Sequence, residues 1–486
     1  MSCSKSIEGP PRLSLVPRAP ARVAFLTLGC PKNLVDSEVM MGRLERAGFT
    51  LVADESEADL LVINTCAFVQ DAQRESIDRI LRAGAWKAED PSRRLLVAGC
   101  LAERHGAALQ RAMPEIDGLL GPGRCDRIAV LARALAEGRP SGPALGALER
   151  PPLSGRRVRT GFPHVAYVKI AEGCSHRCRF CLIPKLRGPL RSRSIESVAR
   201  EVIALAEEGA REVILVAQDT TAFGRERDDG ASLARLLRRL NAGRGPEWIR
   251  VLYTHPAHWN DELIAVFAEG GRVLPYIDLP IQHISDPVLR AMGRGAGGAR
   301  IRRLVERLRA RIPNVILRTT VMTGHPGEGE REFAELMRFL REFPFDRLGA
   351  FAYSREPELP RAPGLPCASR SVARRRRSRV LSEQKEIARR LQRARRGQEC
   401  MVLIDGIRAR DGAWVARSYG EAPDIDGVIL VQAARGRRNP DGEPGDFRRV
   451  RILEAKPYDL KAVPVEPFPL EPHRRTIGEG AWKEEA

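Results

Sequence analysis

The sequence has no apolar run that approaches the roughly 20 residues needed for a membrane-spanning helix. The first twenty residues, MSCSKSIEGPPRLSLVPRAP, also lack the continuous apolar segment of a secretory signal peptide. We therefore expect residues 1–20 to form a loosely ordered leader. Together, the two absences predict a cytoplasmic protein.

Cysteine is also sparse. The chain has ten cysteines in 486 residues, which is too few for a disulfide scaffold. A reducing compartment is the expectation, and it leaves the thiols available for other chemistry. The chain is 43% hydrophobic. At this length, that suffices for about two to four domains with cores of their own.

Positive charge, by contrast, is abundant. The formal net charge is +19, and basic proteins commonly bind nucleic acid or acidic assemblies. Residues 370–396 hold twelve Arg or Lys against two Glu, and so carry +10 of this excess. Two interpretations stay open for this segment: a solvated helix, or a contact with RNA or a ribosome.

Residues 21–136 alternate apolar strands with amphipathic helices. The strands are RVAFLTLG, DLLVINTC and RRLLVAGC, and the helices include SEVMMGRLERAG and DAQRESIDRILRAGA. Apolar strands that alternate with helices are typical of a parallel sheet covered on both faces. The Pro- and Gly-rich residues 137–158 then read as a linker.

The same alternation continues over residues 159–394. Six βα units there predict a parallel sheet curved into a partial or full barrel, with its active site at the carboxyl ends of the strands. Residues 395–463 change to short alternating runs broken by Gly, Asp and Pro, which predicts a small antiparallel barrel. A loosely ordered tail is expected over 464–486. The six apolar strand candidates lie at 165–171, 212–218, 249–254, 275–281, 315–322 and 347–354.

The sharpest motif is EGCSHRCRFC, which spaces Cys174, Cys178 and Cys181 as Cys-x3-Cys-x2-Cys. Three thiolates on one loop after the first barrel strand are natural ligands of an iron–sulfur cluster. Because a four-iron cubane would keep one iron without a protein ligand, an exogenous molecule can bind there. Zinc stays an alternative, since it prefers four protein ligands and His176 lies within the loop.

A second set of cysteines shares one position relative to the strands. Cys30, Cys66 and Cys100 each end an apolar strand, and they lie 36 and 34 positions apart, one strand–helix unit each. The carboxyl ends of parallel strands meet at one edge of a sheet, so the three thiols can converge on a second cluster. The alternative is three independent buried thiols, because Cys is among the most buried residues.

At the Cys-x3-Cys-x2-Cys motif, the sequence resembles the radical S-adenosylmethionine (SAM) superfamily, whose signature carries an aromatic residue before the last Cys, here Phe180. The resemblance implies a 4Fe–4S cluster whose open iron binds S-adenosylmethionine. It also implies reductive cleavage of that molecule to a 5′-deoxyadenosyl radical, fed by a small electron donor such as flavodoxin. Phe180 and two polar residues of the barrel strands, Gln218 and Arg318, are the candidate cofactor-binding residues.

The order of the parts is similar to the methylthiotransferase family, over roughly residues 21–462. The resemblance implies an auxiliary 4Fe–4S cluster on Cys30, Cys66 and Cys100, and a C-terminal TRAM domain that binds the substrate. The predicted fold class is α/β. It combines an N-terminal parallel α/β domain, a central partial (βα)6 radical SAM barrel and a small C-terminal antiparallel β-barrel.

The segment GCPKNLVDSE resembles the ribosomal-protein branch of this family rather than its tRNA branch, and APDIDGVIL at 422–430 does so as well. The resemblance implies methylthiolation of the β-carbon of an aspartate in ribosomal protein S twelve, free or on the small subunit. The basic segment 370–396 adds a possible contact with ribosomal RNA. Two alternatives stay open: a tRNA adenosine methylthiotransferase and a non-enzymatic iron–sulfur protein that binds RNA.

Two histidines depart from the family pattern. His325 stands in GHPGE where the family usually has Phe, and His255 stands in YTHPAHW where the family tends to be aromatic or aliphatic. A lone histidine near a strand end more often has a structural than a catalytic role. No catalytic side chain is therefore assigned beyond the six cluster cysteines.

Overall fold

The computed structural model describes residues 21–139, 142–146, 157–359, 364–433, 439 and 441–465. The predicted leader, the linker residues 147–156 and the predicted tail beyond 465 lie outside the described residues. The chain separates into two compact units. The first comprises the residues before 161 together with 169–176 and 181–193, and the second comprises 161–168, 177–180 and the residues from 194 onward.

The N-terminal part of the first unit is a five-stranded parallel sheet in the order β2-β1-β3-β4-β5. Strand β3 is buried throughout and β4 is buried after Arg94, as expected for a sheet covered by helices on both faces. The sequence pattern missed β2 and β5, because two or three residues are too short to show a period. The elements are β1 (Arg22–Thr27), α1 (Pro31–Arg46), β2 (Thr50–Leu51), β3 (Leu60–Thr65), α2 (Gln70–Ala88), β4 (Arg94–Gly99), α3 (Cys100–Ala112), β5 (Gly118–Leu120) and α4 (Ile128–Ala136).

Helix α1 begins at Pro31, and not at Ser37 as its apolar spacing predicts. Proline is favoured at the first helical position, because its missing N–H needs no partner there. The additional turns carry Lys32, Asn33 and Asp36, and all three are buried although they are polar. An apolar period does not reveal a buried polar turn, so the sequence pattern placed the start too late.

The chain then forms β6 (Val165–Lys169), β7 (Ala171–Glu172), α5 (Ile183–Arg187) and β8 (Arg191–Ser192). Strands β7 and β8 pair antiparallel in the first unit. They fix the two ends of the segment that carries the Cys-x3-Cys-x2-Cys motif.

The central sheet of the second unit has six strands in the order β13-β12-β11-β10-β9-β6. Within this sheet, strands that follow one another in sequence lie side by side. Strands β9 to β13 run parallel, and helices connect them. This open sheet confirms the predicted partial barrel. The elements are α6 (Ile195–Glu207), β9 (Glu212–Val216), α7 (Leu233–Ala242), β10 (Trp248–Val251), α8 (Asp261–Glu269), β11 (Val273–Asp278), α9 (Asp286–Met292), α10 (Gly298–Arg311), β12 (Ile316–Thr323), α11 (Glu330–Glu342) and β13 (Arg347–Ala352).

The basic segment forms α12 (Arg370–Arg393), which packs on β12 and β13. Its buried face includes Ala373, Val380 and Ile387. Arg376 is buried as well, and donates to Glu328 at 2.8 Å and to Glu330 at 2.7 Å. The helix is therefore part of the fold along one face, while most of its other arginines remain exposed.

The last part of the chain that the structure describes forms a closed five-stranded barrel around Trp414, Val402 and Ile404. Most of its strand pairs are antiparallel as predicted, but β16 and β18 pair parallel. β16 and β18 are separated in the chain by β17, and a local sequence pattern does not indicate whether two such strands run parallel or antiparallel. The strands are β14 (Glu399–Ile407), β15 (Trp414–Arg417), β16 (Ile429–Val431), β17 (Phe447–Ala455) and β18 (Leu460–Pro464).

Buried ion pairs join this closed barrel to the central sheet. Glu212, at the start of β9, is fully buried and accepts hydrogen bonds from Arg250 and Arg417, both at 2.6 Å. Arg417 also binds Asp405 of β14, and the ring of His164 lies 2.9 Å from the same carboxylate. Desolvated charges are tolerated only when each has partners, so this network specifies how the closed barrel meets the sheet.

Replacing Glu212 with Ala would leave the guanidinium groups of Arg250 and Arg417 buried without their shared carboxylate. We expect this change to lower the free energy of unfolding by about 3–5 kcal/mol. The matched control is Glu247→Ala, which removes a half-exposed pair with Arg211 and should cost no more than about 1 kcal/mol. Denaturant unfolding of the three proteins measures both values, and equal losses would contradict the structural role of Glu212.

Candidate metal centres

Cys30 is the N-cap residue of α1, just beyond the carboxyl end of β1. The preceding Gly29 has φ +93°, a conformation that glycine adopts freely and other residues rarely adopt. A Cβ atom on residue 29 would also lie only 2.7 Å from the Cβ of Cys66. Glycine before Cys30 therefore permits the close approach of the two cysteines.

Cys100 is the first residue of α3 and follows β4 directly. Gly99 before it has φ +91°, and a Cβ atom there would lie 2.5 Å from the carbonyl oxygen of Thr65. Cys30 and Cys100 thus both stand at the amino end of a helix. The helix dipole favours negative charge at that end, and so favours thiolates.

The thiols of Cys30, Cys66 and Cys100 lie close enough to act on one another. Burial raises the pKa of the Cys66 thiol to about 11, and the charges of the other two contribute to this rise. Burial also raises the pKa of Cys100, with Arg187 opposing it. For Cys30, burial is outweighed by the charges of Lys32 and Arg187, and the pKa lies below its usual value. The structure thus brings the three strand-end cysteines together.

Two buried asparagines, which the sequence analysis did not single out, hold this edge of the sheet. The Asn33 amide donates to the carbonyl oxygens of Leu28 at 3.0 Å and Thr65 at 2.9 Å. The Asn64 amide donates to the carbonyl oxygen of Asn33 at 2.8 Å and to Ser37 Oγ at 3.0 Å. The ends of β1 and β3 are therefore joined by side chains as well as by the backbone. Asn33 belongs to the quoted segment GCPKNLVDSE, but its spacing alone does not indicate this role.

The sequence prediction assigns the remaining described cysteines to neither group. Cys125 is buried in the hydrophobic core, 3.3 Å from the carbonyl oxygen of Pro122. Cys367 is exposed and Cys400 is half-buried in β14. Cys3 lies outside the described residues.

Cys174, Cys178 and Cys181 lie on the segment between β7 and α5, and each is partly exposed. In the first unit, the N–H of Cys174 donates to the carbonyl oxygen of Gly188 at 3.0 Å. This bond ties the start of the motif segment to the end of α5. Partial exposure is compatible with thiols that bind a cofactor from solution.

In the second unit, Cys178 Sγ lies 3.8 Å from Nη1 of Arg294, a donor that suits a thiolate. Phe180 meets the ring of His325 edge to face, with 6.3 Å between ring centroids. His325 in turn meets Tyr353 at 5.0 Å. The histidine that departs from the family pattern therefore takes the place of an aromatic ring beside the motif.

The other two cofactor candidates occupy different positions. Gln218 follows β9 at the carboxyl edge of the sheet, where barrels of this kind bind their ligands. Arg318 is the third residue of β12 and pairs with Asp278 at 2.9 Å, with Asp426 of the closed barrel 3.9 Å away. The pairing gives Arg318 a role in the fold, so Gln218 is the better placed of the two.

A polar cluster follows β9 and β10, and the sequence analysis assigned it no function. Asp219 accepts the N–H of Thr221 at 2.9 Å, and its second oxygen lies 3.0 Å from Nδ1 of His258. The ring of His255 lies 5.4 Å from that of His258, and its Nδ1 accepts the N–H of Ala257 at 3.2 Å. The signals in the sequence were the polar Asp219 directly after the strand candidate at 212–218, and YTHPAHW at the end of the next strand. The cluster adds hydrogen-bonding groups to the carboxyl edge of the barrel.

The group at Cys30, Cys66 and Cys100 suits an anionic iron–sulfur cluster. Thiolates are the soft ligands that such clusters take from proteins. The positive charge of the Arg187 guanidinium also acts on the Cys100 thiol and opposes the rise of its pKa. A buried positive charge at this place would repel a bare divalent cation, but it stabilises a cluster whose thiolates make it negative. The residues present therefore fit the cofactor that the family implies.

Three family descriptions match successive parts of the chain. Residues 22–121 match Uncharacterized protein family UPF0004, residues 168–340 match the Radical SAM superfamily, and residues 397–465 match the TRAM domain. The fold and the cysteine motif thus define a radical SAM enzyme with a TRAM domain. This confirms the predicted fold class.

Curated relatives identify the family within this class. A protein of Desulforudis audaxviator named ribosomal protein uS12 methylthiotransferase RimO is 46% identical over 445 residues, covering 91% of this chain and 96% of the relative. Proteins of the same name from Pelotomaculum thermopropionicum and Geobacter sulfurreducens are 42% and 41% identical; the matches cover 90% and 91% of this chain, and 98% of each relative. The chain belongs to the RimO family of methylthiotransferases. A 4Fe–4S cluster and S-adenosylmethionine follow as its cofactors.

Solved structures agree with the fold. Two structures of TsrM from Kitasatospora setae, a radical S-adenosylmethionine methyltransferase, match with TM-scores of 0.53 and 0.51 and identities of 17% and 16%. Each match covers 68% of this chain and 72% of TsrM. At this identity the likeness concerns the fold alone. Among the residues that the structure describes, no helix is both long and apolar enough to cross a bilayer.

His325 generates a pH prediction. Burial lowers its pKa from 6.5 to about 4, so between these values the unfolded chain binds a proton that the folded chain does not. Stability should therefore fall as the pH decreases through this window, by up to roughly 3 kcal/mol.

The His325→Phe variant lacks this titratable group, so its stability should not fall by that amount as the pH decreases. Thermal unfolding midpoints of both proteins between about pH 4 and pH 7 test the difference. The variant with the exposed His105 changed to Gln is the control, and should follow the parent. Parallel curves for the parent and His325→Phe would show that this histidine is not a buried neutral group.

Proposed function

We propose that this chain transfers a methylthio group to the β-carbon of an aspartate in ribosomal protein uS12. The observation that carries the proposal is the meeting of Cys30, Cys66 and Cys100 at one edge of a sheet, in a chain that also has the radical SAM motif. One cluster suffices to generate a radical, and a second three-thiol site supplies what sulfur transfer additionally requires. The name shared by the curated relatives supports the substrate.

The two cysteine groups have different parts in this proposal. Cys174, Cys178 and Cys181 hold the cluster that binds S-adenosylmethionine, and Cys30, Cys66 and Cys100 hold the auxiliary cluster. When bound, the cofactors supply hydrogen-atom abstraction from an unactivated C–H bond and the methylthio group that replaces the hydrogen. No ordinary side-chain base is strong enough to remove such a proton, so the chemistry belongs to the cofactors.

In this proposal, the side chains of the protein bind and orient the cofactor and the substrate. Phe180 precedes the last ligand of the motif and, with Gln218 at the carboxyl edge, is proposed to contact S-adenosylmethionine. Arg318 keeps a minor place among the cofactor candidates because it is already paired with Asp278. Arg294 beside Cys178 provides a donor for the thiolate. Asp219 and His258 supply hydrogen-bonding groups to a substrate at that edge.

The proposed domains are 21–136 for the auxiliary cluster, 159–394 for the radical core and 395–463 for TRAM, with 137–158 as the linker. The exposed arginines of α12 and the TRAM barrel are proposed to contact ribosomal RNA near uS12. Reducing electrons come from a small donor such as flavodoxin, and the place of action is the cytoplasm. These partners follow from the resemblance of the sequence and from the positive charge of residues 370–396.

The number of clusters is tested by metal content. After anaerobic reconstitution the parent chain should bind about eight iron atoms and Cys30→Ala about four, because one 4Fe–4S cluster loses a ligand. Cys400→Ala removes a half-buried thiol of the closed barrel, and should keep the parent value. Iron and sulfide assays on the folded proteins measure this. A Cys30→Ala chain with the full iron content would refute the auxiliary site.

The substrate is tested by incubating the reconstituted enzyme, S-adenosylmethionine and a reductant with uS12 and with tRNA in separate reactions. Mass spectrometry should find one methylthio group on an aspartate of uS12, and chromatography should find 5′-deoxyadenosine. Cys178→Ala should abolish both products, since the motif then lacks a ligand. Methylthio mass on tRNA alone would assign the other branch of the family. Absence of 5′-deoxyadenosine from the parent would support a non-enzymatic iron–sulfur protein.

A further inference from the structure

Arg187 is a buried arginine whose partners lie around the auxiliary thiols. It ends α5, and its side chain is 2% exposed. Its guanidinium donates to Asp36 at 3.1 Å, to Glu172 at 3.0 Å and to the side-chain oxygen of Asn33. Burial of a guanidinium is costly unless such partners hold it, so its place in the fold is closely specified.

The same carboxylates already have another cation. The Lys169 ammonium binds Asp36, and binds Glu172 at 2.6 Å, and is buried with them. Two carboxylates, Lys169 and Arg187 form a neutral group, so charge balance explains why the cations are there. Charge balance does not explain why the guanidinium also binds Asn33, whose amide donates to the carbonyl oxygen of Thr65 next to Cys66. Its charge acts on the thiols of Cys100, Cys30 and Cys66 as well.

The anchors of Arg187 and one proposed ligand lie on a single helix. Cys30 caps α1, and Asn33 and Asp36 follow at intervals of three residues, so they share one side of the helix. Any displacement of α1 moves the thiol and the guanidinium together. Glu172 anchors the guanidinium from β7, at 3.0 Å.

We infer that Arg187 is a positioning residue of the auxiliary centre, which places a fixed positive charge and N–H donors against the cysteine-bound cluster and thereby sets its reduction potential. This inference rests on the proposed auxiliary cluster. Reduction adds negative charge to a cluster, and a nearby cation that hydrogen-bonds the sulfur stabilises the reduced form. The effect is large in a buried site, because water screens the charge little there.

The test uses the chain with Cys174, Cys178 and Cys181 changed to Ala, so that only the auxiliary cluster is present. In this parent we compare Arg187→Gln, Arg187→Lys and Lys185→Gln after anaerobic reconstitution with iron and sulfide. Lys185 lies on the same short helix and is exposed, so Lys185→Gln removes an equal charge from a place in water. The measurements are the iron and sulfide content and the midpoint potential from a redox titration followed by electron paramagnetic resonance.

We expect Arg187→Gln to shift the midpoint potential to more negative values, and Lys185→Gln to leave it at the parent value. Arg187→Lys keeps the charge but loses the planar fork of donors, so its potential should lie between those of the parent and Arg187→Gln. A purely structural role would change stability but would not produce this order of potentials. Equal potentials for the parent and Arg187→Gln would overturn the inference.

Arg187→Gln leaves two carboxylates with one cation, and this alone can unfold the chain. The double variant Arg187→Gln with Glu172→Gln removes one charge of each sign, and so keeps the network neutral. The single variant Glu172→Gln measures what this carboxylate contributes by itself, and the double variant should have a more negative potential than Glu172→Gln. Equal potentials for the folded double variant and Glu172→Gln would also overturn the role of Arg187. If the parent with its three Ala changes bound no iron, the auxiliary cluster itself would fail, and this inference with it.

Discussion

Parallel pairing of β1, β3 and β4 is the constraint on which the candidate metal centre depends. The register sets Thr27 opposite Asn64 and Thr65 opposite Gly99, so the three strands end at nearly the same level. A cysteine follows each strand within one to three residues of its last residue. A slip of one residue in the register would reverse the face to which every following side chain points. The meeting of three thiols therefore follows from backbone pairing before any side chain contributes.

Both units also contain a network of buried ion pairs. In the first unit, Arg187 and Lys169 share the carboxylates of Asp36 and Glu172. In the second unit, Glu212 holds Arg250 and Arg417 where the closed barrel meets the central sheet. Such groups contribute less to net stability than apolar residues of equal size. They do make misplaced arrangements unfavourable, because a displaced charge would remain without its partner.

Much of this architecture could be predicted from the sequence. The alternation of apolar strands and amphipathic helices identified the parallel sheets, since the helix and strand periods are local properties. The Cys-x3-Cys-x2-Cys spacing predicted an iron–sulfur site, and the resemblance that this motif carries predicted the radical SAM class, which the family match confirms. The start of α1 was placed too late because Lys32, Asn33 and Asp36 are polar yet buried. The parallel pair β16–β18 was missed because strand direction depends on the closure of the barrel.

In the basic segment 370–396, the tertiary structure separates arginines that belong to the core from arginines that are exposed. Its composition predicted a helix with a large positive charge, and left open whether that charge is only solvated. Arg376 is buried against Glu328 and Glu330, while most of the other arginines of α12 face away from the core. The periodicity of an arginine-rich helix does not distinguish these residues, because all are of one type. Only the packing of α12 on β12 and β13 decided which are structural.

The sequence by itself determined which elements form and which cysteines stand at strand ends, because both follow from short-range order along the chain. It also determined the family, through motifs and a resemblance that extends over most of the length. Only the tertiary structure decided that Asn33, Asn64 and Arg187 surround the thiols of Cys30, Cys66 and Cys100. Those contacts join distant residues, 31 positions apart for Asn33 and Asn64 and 154 for Asn33 and Arg187. Their partners are chosen by burial and charge balance in the folded chain, and no local pattern records that choice.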